Sequence, residues 1–73
     1  MKKEEITSMN DIRLLLKRFG TFIYSGDPVA DLELMEDEIK DLYEAKLLEP
    51  HDFQLALLYI KKEKRKYETN DGY

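Results

Sequence analysis

Two breaks that contain proline divide the sequence into three amphipathic stretches, and this division constrains the fold more than any other feature. The breaks are Ser25-Gly26-Asp27-Pro28 and Glu49-Pro50-His51-Asp52. In each, an acidic residue precedes a proline, which is favoured at the first position of a helix because its missing N–H needs no partner there. The sequence therefore predicts helices over residues 28–47 and 50–67, preceded by one over residues 9–24.

The first helix is predicted from a capping signal and an apolar period. Thr7 and Ser8 precede the pattern and Asp11 follows Ser8 by three, which is typical of an N-cap with an acidic partner in the first turn. The apolar residues that share one helical face are Ile12, Leu15, Leu16, Phe19, Phe22 and Ile23. We therefore expect this face to be buried along the whole of the first helix.

Gly20 interrupts that period and leaves an alternative open. A glycine inside a helix costs about 1 kcal/mol. The helix could instead end at Phe19, with Gly20 as a left-handed terminator and residues 21–24 extended. We favour the continuous helix, because the sequence contains no second strand-like run with which residues 21–24 could pair.

The second and third helices carry apolar faces of their own. Residues assigned to these faces are Val29, Leu32, Met35, Ile39, Leu42, Tyr43 and Lys46 in the second, and Phe53, Ala56, Leu57, Ile60 and the stem of Lys64 in the third. With 73 residues the chain has room for one core. The predicted fold is all-α, a compact three-helix bundle, antiparallel up-down-up, in a single domain over 1–73 with residues 68–73 frayed.

Charge is distributed unevenly along the chain. Residues 1–26 hold five basic and three acidic side chains. Residues 27–44 hold one basic and eight acidic side chains, and residues 45–73 hold six basic and five acidic ones, for a net charge of −4. An up-down-up bundle would bring the ends of the outer helices together. We therefore expect a basic surface with aromatic rings, formed by Lys17, Arg18, Tyr24, Lys61, Lys62, Arg65 and Tyr67.

This surface makes single-stranded RNA or DNA the first candidate partner. On a continuous first helix, Arg13, Lys17, Gly20 and Tyr24 follow one stripe, so a phosphate backbone could approach at Gly20 while a base stacks on Tyr24. The predicted nucleic-acid-binding residues are Arg13, Lys17, Arg18, Gly20, Tyr24, Lys61, Lys62 and Arg65. Solvated cations, a packing glycine and a tyrosine at the bundle rim are the alternative explanation. The isoelectric point near 4.9 limits such binding to a weak, salt-sensitive contact.

A protein partner or weak self-association is the second candidate. From Phe53 to Ile60 the third helix is apolar almost all round. Apolar residues outside the predicted core faces are assigned to a protein interface: Leu14, Leu34, Leu55, Leu58 and Tyr59. The alternative is that some of them meet a second neighbour inside the bundle.

Catalysis, a metal and a membrane span are not expected. The sequence has no cysteine and one histidine, His51, which lacks the partners of a catalytic or metal-binding arrangement. The carboxylates of Glu33, Asp37 and Asp41 are explained as a solvated helix face. No apolar run is long enough for a signal peptide or a membrane span, so a soluble cytoplasmic protein without a cofactor is predicted.

Three segments carry a resemblance to a known family. They are Leu14-Leu15-Leu16-Lys17-Arg18-Phe19-Gly20-Thr21-Phe22-Ile23-Tyr24, the following Gly26-Asp27, and Asp31-Leu32-Glu33-Leu34-Met35-Glu36. With the aliphatic third helix, these segments make residues 8–66 similar to the YqgQ-like family of small proteins from Bacillus and its relatives. The resemblance implies a cytoplasmic three-helix bundle and single-stranded nucleic-acid binding. It supplies no catalytic residues.

Overall fold

A computed structural model of the protein describes residues 6–68. Within this range α1 spans Met9–Arg18, α2 spans Pro28–Glu44 and α3 spans Pro50–Glu68. The predicted all-α three-helix bundle is confirmed. Glu68, which was expected to fray, is the last residue of α3, and the rest of the segment 68–73 lies outside the described residues.

The beginning of α1 is fixed by side chains that cap its first turn. The Ser8 hydroxyl accepts a hydrogen bond from the Asp11 N–H at 3.4 Å, as an N-cap should. The Asp11 carboxylate in turn accepts from the Thr7 N–H at 2.9 Å and from the Thr7 hydroxyl at 2.8 Å. These bonds, the backbone N–H of Thr7 first, lower the pKa of Asp11 below its ordinary value of 3.8.

The end of α1 shows that the continuous helix over residues 9–24 is wrong. Gly20 has a φ of +85°, and the Gly20 N–H donates to the Lys17 carbonyl at 2.9 Å. The Thr21 N–H donates to the Leu16 carbonyl, also at 2.9 Å. This pair of bonds is a Schellman motif, which satisfies carbonyls that a helix end would otherwise leave unpaired. Beyond Gly20, Ile23 still packs against the core, although it lies outside α1.

The beginning of α2 follows the predicted cap, whereas its end comes three residues earlier than predicted. The Asp27 carboxylate accepts from the Val29 N–H at 3.1 Å, with Pro28 as the first helical residue. At the other end Lys46 adopts a φ of +64°, and the Leu47 N–H donates to the Leu42 carbonyl at 2.9 Å. Lys46, expected on the inward face of the helix, is therefore an exposed residue of the turn that ends it.

Contacts at both ends of α2 establish that α2 and α3 are antiparallel. Tyr43, near the end of α2, stacks on Phe53 near the start of α3, with ring centroids 4.1 Å apart. Lys64, near the end of α3, lies 3.7 Å from Glu36 and 4.0 Å from Glu33 on the first half of α2. The buried hydrophobic residues, which form one core between the helices, are Ile6, Ile12, Leu16, Leu32, Met35, Ile39, Leu42, Leu48, Ala56 and Ile60.

The position of α1 differs from the expectation that its end adjoins the end of α3. Arg18 and Phe19, at the end of α1, line a surface depression together with Leu48 and Asp52, near the start of α3. Arg13, earlier in α1, instead borders Tyr67 near the end of α3. Residues 20–27 connect Phe19 to the start of α2, and we call them the linker.

Candidate nucleic-acid interface

The linker exposes two aromatic side chains. Phe22 is 74% exposed and Tyr24 is 89% exposed, whereas Thr21 and Ile23 between them are partly buried. This alternation is that of an extended chain, in which residues two apart project to the same side at a spacing of about 6.6 Å. Phe22 and Tyr24 therefore form a pair of rings directed away from the core, while Ile23 packs against it.

Two cations of α1 lie beside these rings. Arg13 and Lys17 are both exposed, and they line one surface depression with Phe22 and Tyr24. Because they are four residues apart, they occupy one flank of α1. We call the four residues Arg13, Lys17, Phe22 and Tyr24 the linker site. It joins a positive helix flank to two aromatic rings within one continuous surface.

Gly20 contributes to this site through the backbone. Its positive φ ends α1 and starts the linker, which turns the rings outward. A Cβ built on Gly20 would meet no atom within 4 Å, so no neighbouring protein atom requires the small residue. Three residues of the predicted stripe, Arg13, Lys17 and Tyr24, line one depression, although the continuous helix that was the basis of the stripe does not exist.

The far end of the linker is held by a buried carboxylate. Asp31, on the first turn of α2, is 9% exposed. Its Oδ1 accepts hydrogen bonds from the Ser25 N–H at 2.8 Å and from the Ser25 hydroxyl at 2.7 Å. The Ser25 hydroxyl oxygen also accepts from the Asp27 N–H at 3.2 Å. These bonds fix the backbone immediately after Tyr24, so its ring is presented from an ordered segment.

A second depression extends the site towards the end of α3. Arg13 and Tyr24 line it together with Pro28, Glu63 and Tyr67. Tyr67 adds a third ring, 38% exposed, while Glu63 adds a carboxylate that pairs with Lys66 at 3.2 Å. This side of the linker site is therefore aromatic but not uniformly basic.

The other predicted nucleic-acid-binding residues lie elsewhere. Lys61, Lys62 and Arg65 line a depression on α3 with Leu58. Residues two apart on a helix differ by about 200°, so Arg65 faces away from Tyr67. Arg18 lies near the start of α3. The structure thus does not gather the predicted basic residues into one surface, because α1 is placed differently from the expectation.

The predicted protein-interface residues are also divided. Leu14, Leu34 and Leu58 are exposed, but Leu55 and Tyr59 are partly buried and pack against the core. Leu55 and Tyr59 therefore match the alternative explanation, in which apolar residues outside the predicted core faces meet a second neighbour inside the bundle. Leu14 lines the depression at the end of α1, whereas Leu58 lies on α3 among lysines.

Phe22 is the residue of the linker site that the sequence analysis missed, since it was assigned to the core face of a longer helix. The available signal was Gly20 itself, the residue most common at a left-handed helix end. If the residues after Gly20 are predicted to be an extended segment and not a helix, Phe22 and Tyr24 lie on one side of it and Ile23 on the other. A period of two, started at Gly20, would have identified both rings.

The described residues contain neither a metal-binding cluster nor a membrane-spanning helix. Among residues 6–68 no three His, Cys, Asp or Glu side chains are grouped closely enough to hold a metal ion. None of the three described helices is both long enough and apolar enough to cross a bilayer.

The fold and this site define a class of small three-helix protein in which an aromatic linker between the first two helices lies beside a basic flank of the first helix. The chain belongs to the YqgQ-like family, whose model matches residues 6–66 and so includes the entire linker site. It is similar to "Uncharacterized protein YqgQ" of Bacillus subtilis (strain 168). The two are 38% identical over 53 residues, which cover 73% of this chain and 75% of that protein.

Proposed function

We propose that this protein is a non-catalytic cytoplasmic module that binds single-stranded RNA or DNA through the linker site. The observation that supports the proposal is the outward pair of rings, Phe22 and Tyr24, beside Arg13 and Lys17. Exposure of aromatic surface to water is unfavourable in free energy, and a ligand that covers the surface removes this penalty. Nucleic acid offers flat bases for the rings and phosphates for the cations.

Single strands fit this site better than a duplex does. The faces of Phe22 and Tyr24 are available for stacking, and only unpaired, unstacked bases can use them. Stacking on an aromatic side chain contributes about 1–3 kcal/mol per base and is tolerant of sequence. The proposed binding is therefore non-specific in sequence.

The charge distribution sets the strength of the interaction. Only Arg13 and Lys17 belong to the linker site, and the protein as a whole carries a net charge of −4. For single strands the slope of log K against log salt is about −0.7 per neutralised phosphate, so two contacts give a slope of about −1.4. Participation of Lys61, Lys62 and Arg65 as well would steepen it to about −3.5.

The direct test is fluorescence anisotropy with labelled RNA and DNA oligonucleotides over a series of salt concentrations. Tyr24→Ala is expected to weaken binding by the loss of one stacked base, which is roughly five- to 150-fold. Leu34→Ala is the matched control, because Leu34 is exposed on α2 outside the linker site and its truncation should leave the affinity unchanged.

The cations are tested by Lys17→Glu against Lys61→Glu. Both variants change the net charge by the same amount, but only Lys17 lies in the linker site. We expect Lys17→Glu to weaken binding about tenfold, or 1.4 kcal/mol, and Lys61→Glu to have a much smaller effect. Equal losses in the two variants, or no binding by the wild type at low salt, would reject the linker site.

A further inference from the structure

A second surface, separate from the linker site, exposes large apolar side chains. Leu14, Phe19 and Leu47 are 49%, 42% and 56% exposed, and all three line the depression at the end of α1. Its lining also includes the buried side chains of Ile6 and Leu48. We call it the Leu47 depression. Contiguous apolar patches of this kind are a recognised mark of interaction sites.

The Leu47 depression has an acidic rim. Asp11, Glu49 and Asp52 line it, opposed by one cation, Arg18. Asp11 is held as a carboxylate by its hydrogen bonds from Thr7, which lower its pKa. A partner for this depression should therefore present an apolar side chain surrounded by cations.

The same chain carries such a surface on α3. Leu58 is 53% exposed, and its depression is lined by Lys61, Lys62, Lys64, Arg65 and Glu68. Lys64 is engaged with Glu36, and Lys62 lies 5.8 Å from the ring centroid of Tyr59. We call Leu58, Lys61 and Lys62 the basic α3 surface. Its apolar centre and cationic rim match the Leu47 depression in chemistry and are opposite to it in charge.

We propose that the Leu47 depression of one molecule binds the basic α3 surface of a second copy. Leu58 enters the apolar depression, and Lys61 and Lys62 face Glu49 and Asp52. Because the two surfaces are different, each molecule offers one of each kind, and the contact is heterologous. Exposed charge pairs are screened by salt, so association should weaken as ionic strength rises.

Sedimentation equilibrium tests this proposal on the full chain. From micromolar to millimolar concentration at low salt, the weight-average mass of the wild type should rise above the monomer value of 8.7 kDa. Glu49→Lys and Lys61→Glu should each abolish the rise. Asp37→Lys, a matched reversal of an exposed carboxylate on α2, should leave it unchanged.

Mixing the two defective variants gives the decisive measurement. The Glu49→Lys variant keeps an intact basic α3 surface and the Lys61→Glu variant keeps an intact depression, so an equimolar mixture should recover association. The double variant, which carries both reversals, should also recover it, because the charges again oppose.

Three outcomes would overturn the proposal. They are a wild type that stays monomeric throughout, an association that neither reversal affects, and a mixture that fails to recover. If the wild type stays monomeric but binds a cationic amphipathic peptide in the Leu47 depression, the proposal is also overturned, because the occupant is then another protein. Oligonucleotide anisotropy of Glu49→Lys, whose change lies outside the linker site, separates a failure of this proposal from a failure of nucleic-acid binding.

Discussion

The connections after α1 and after α2 start with the same hydrogen-bonded turn and then behave differently. Each helix is followed, two residues after its end, by a residue with positive φ, Gly20 in one case and Lys46 in the other, and the next N–H donates to a carbonyl five residues earlier. After Lys46 the chain enters α3 within a few residues and buries Leu48. After Gly20 it stays extended and leaves Phe22 and Tyr24 in solvent.

This difference separates a short connection, which buries Leu48, from a longer one, which presents the aromatic rings of the linker site. The second connection is short, and the stacked pair of Tyr43 and Phe53 holds together the helices that it joins. The first is longer, and its far end is tied down by Ser25 and Asp31. An extended segment with exposed rings has little apolar burial of its own, so we infer that this carboxylate is what keeps the linker ordered.

The largest expected effect comes from breaking that tie. Asp31→Ala removes an acceptor that serves two Ser25 donors, and hydrogen bonds to a charged group contribute about 1.5–3 kcal/mol. We expect the free energy of unfolding to fall by about that amount in urea denaturation. Asp37→Ala, at an exposed position of the same helix, is the control and should change stability by less than about 0.5 kcal/mol. Equal effects at the two positions would mean that Asp31 does not hold the linker.

The turn at Gly20 gives the next largest effect. Gly20→Ala places a Cβ at a φ of +85°, where an L-residue pays about 1–2 kcal/mol, although the space around it is open. Replacement of Gly20 by D-alanine in a synthetic chain adds the same methyl group without that penalty. We expect urea denaturation to show a loss for the L-residue only. A similar loss for both would assign the cost to crowding rather than to the backbone.

These two connections also mark how far the sequence could be interpreted. The helix starts were predicted correctly, because Ser8, Asp27 and Pro28 act within one turn of where they stand. The ends of α1 and α2 were not, because a left-handed residue is stabilised by bonds that reach back to the preceding turn. Lys46 illustrates the difficulty, since nothing in a lysine indicates a positive φ.

The candidate site was predicted in part for the same reason. Arg13, Lys17 and Tyr24 were assigned to one surface from their spacing, and they lie on one surface. Phe22 was missed because its assignment depended on where α1 ends. The grouping of these residues with Lys61 and Arg65 required the position of α1 relative to α3, which depends on how the core packs and not on any local pattern.

Removal of the backbone strain at Lys46 should have a smaller effect on stability, and of opposite sign, than the substitutions at Asp31 and Gly20. Lys46→Gly removes the Cβ from a residue whose φ is +64°, and the gain is reduced by the greater freedom of glycine in the unfolded chain. We expect the free energy of unfolding to rise by about 0.5–1 kcal/mol. Lys46→Ala is the matched control, since it removes the same charge but keeps the Cβ, and it should not stabilise. A gain in both variants would point to the lysine charge.

The smallest effect concerns the start of α1. There the Asp11 carboxylate accepts hydrogen bonds from Thr7, as the buried Asp31 carboxylate does from Ser25 at the end of the linker. Because the folded pKa of Asp11 is lowered, the stability it contributes is present above its unfolded pKa near 3.8 and is lost as the pH falls through the lower folded value. Thr7→Val removes the hydroxyl donor and leaves the backbone N–H, so the pKa of Asp11 should rise but stay below 3.8. An NMR titration of the Asp11 carboxyl carbon measures this directly. A pKa unchanged by the substitution would show that the Thr7 hydroxyl does not contribute to the lowered pKa of Asp11.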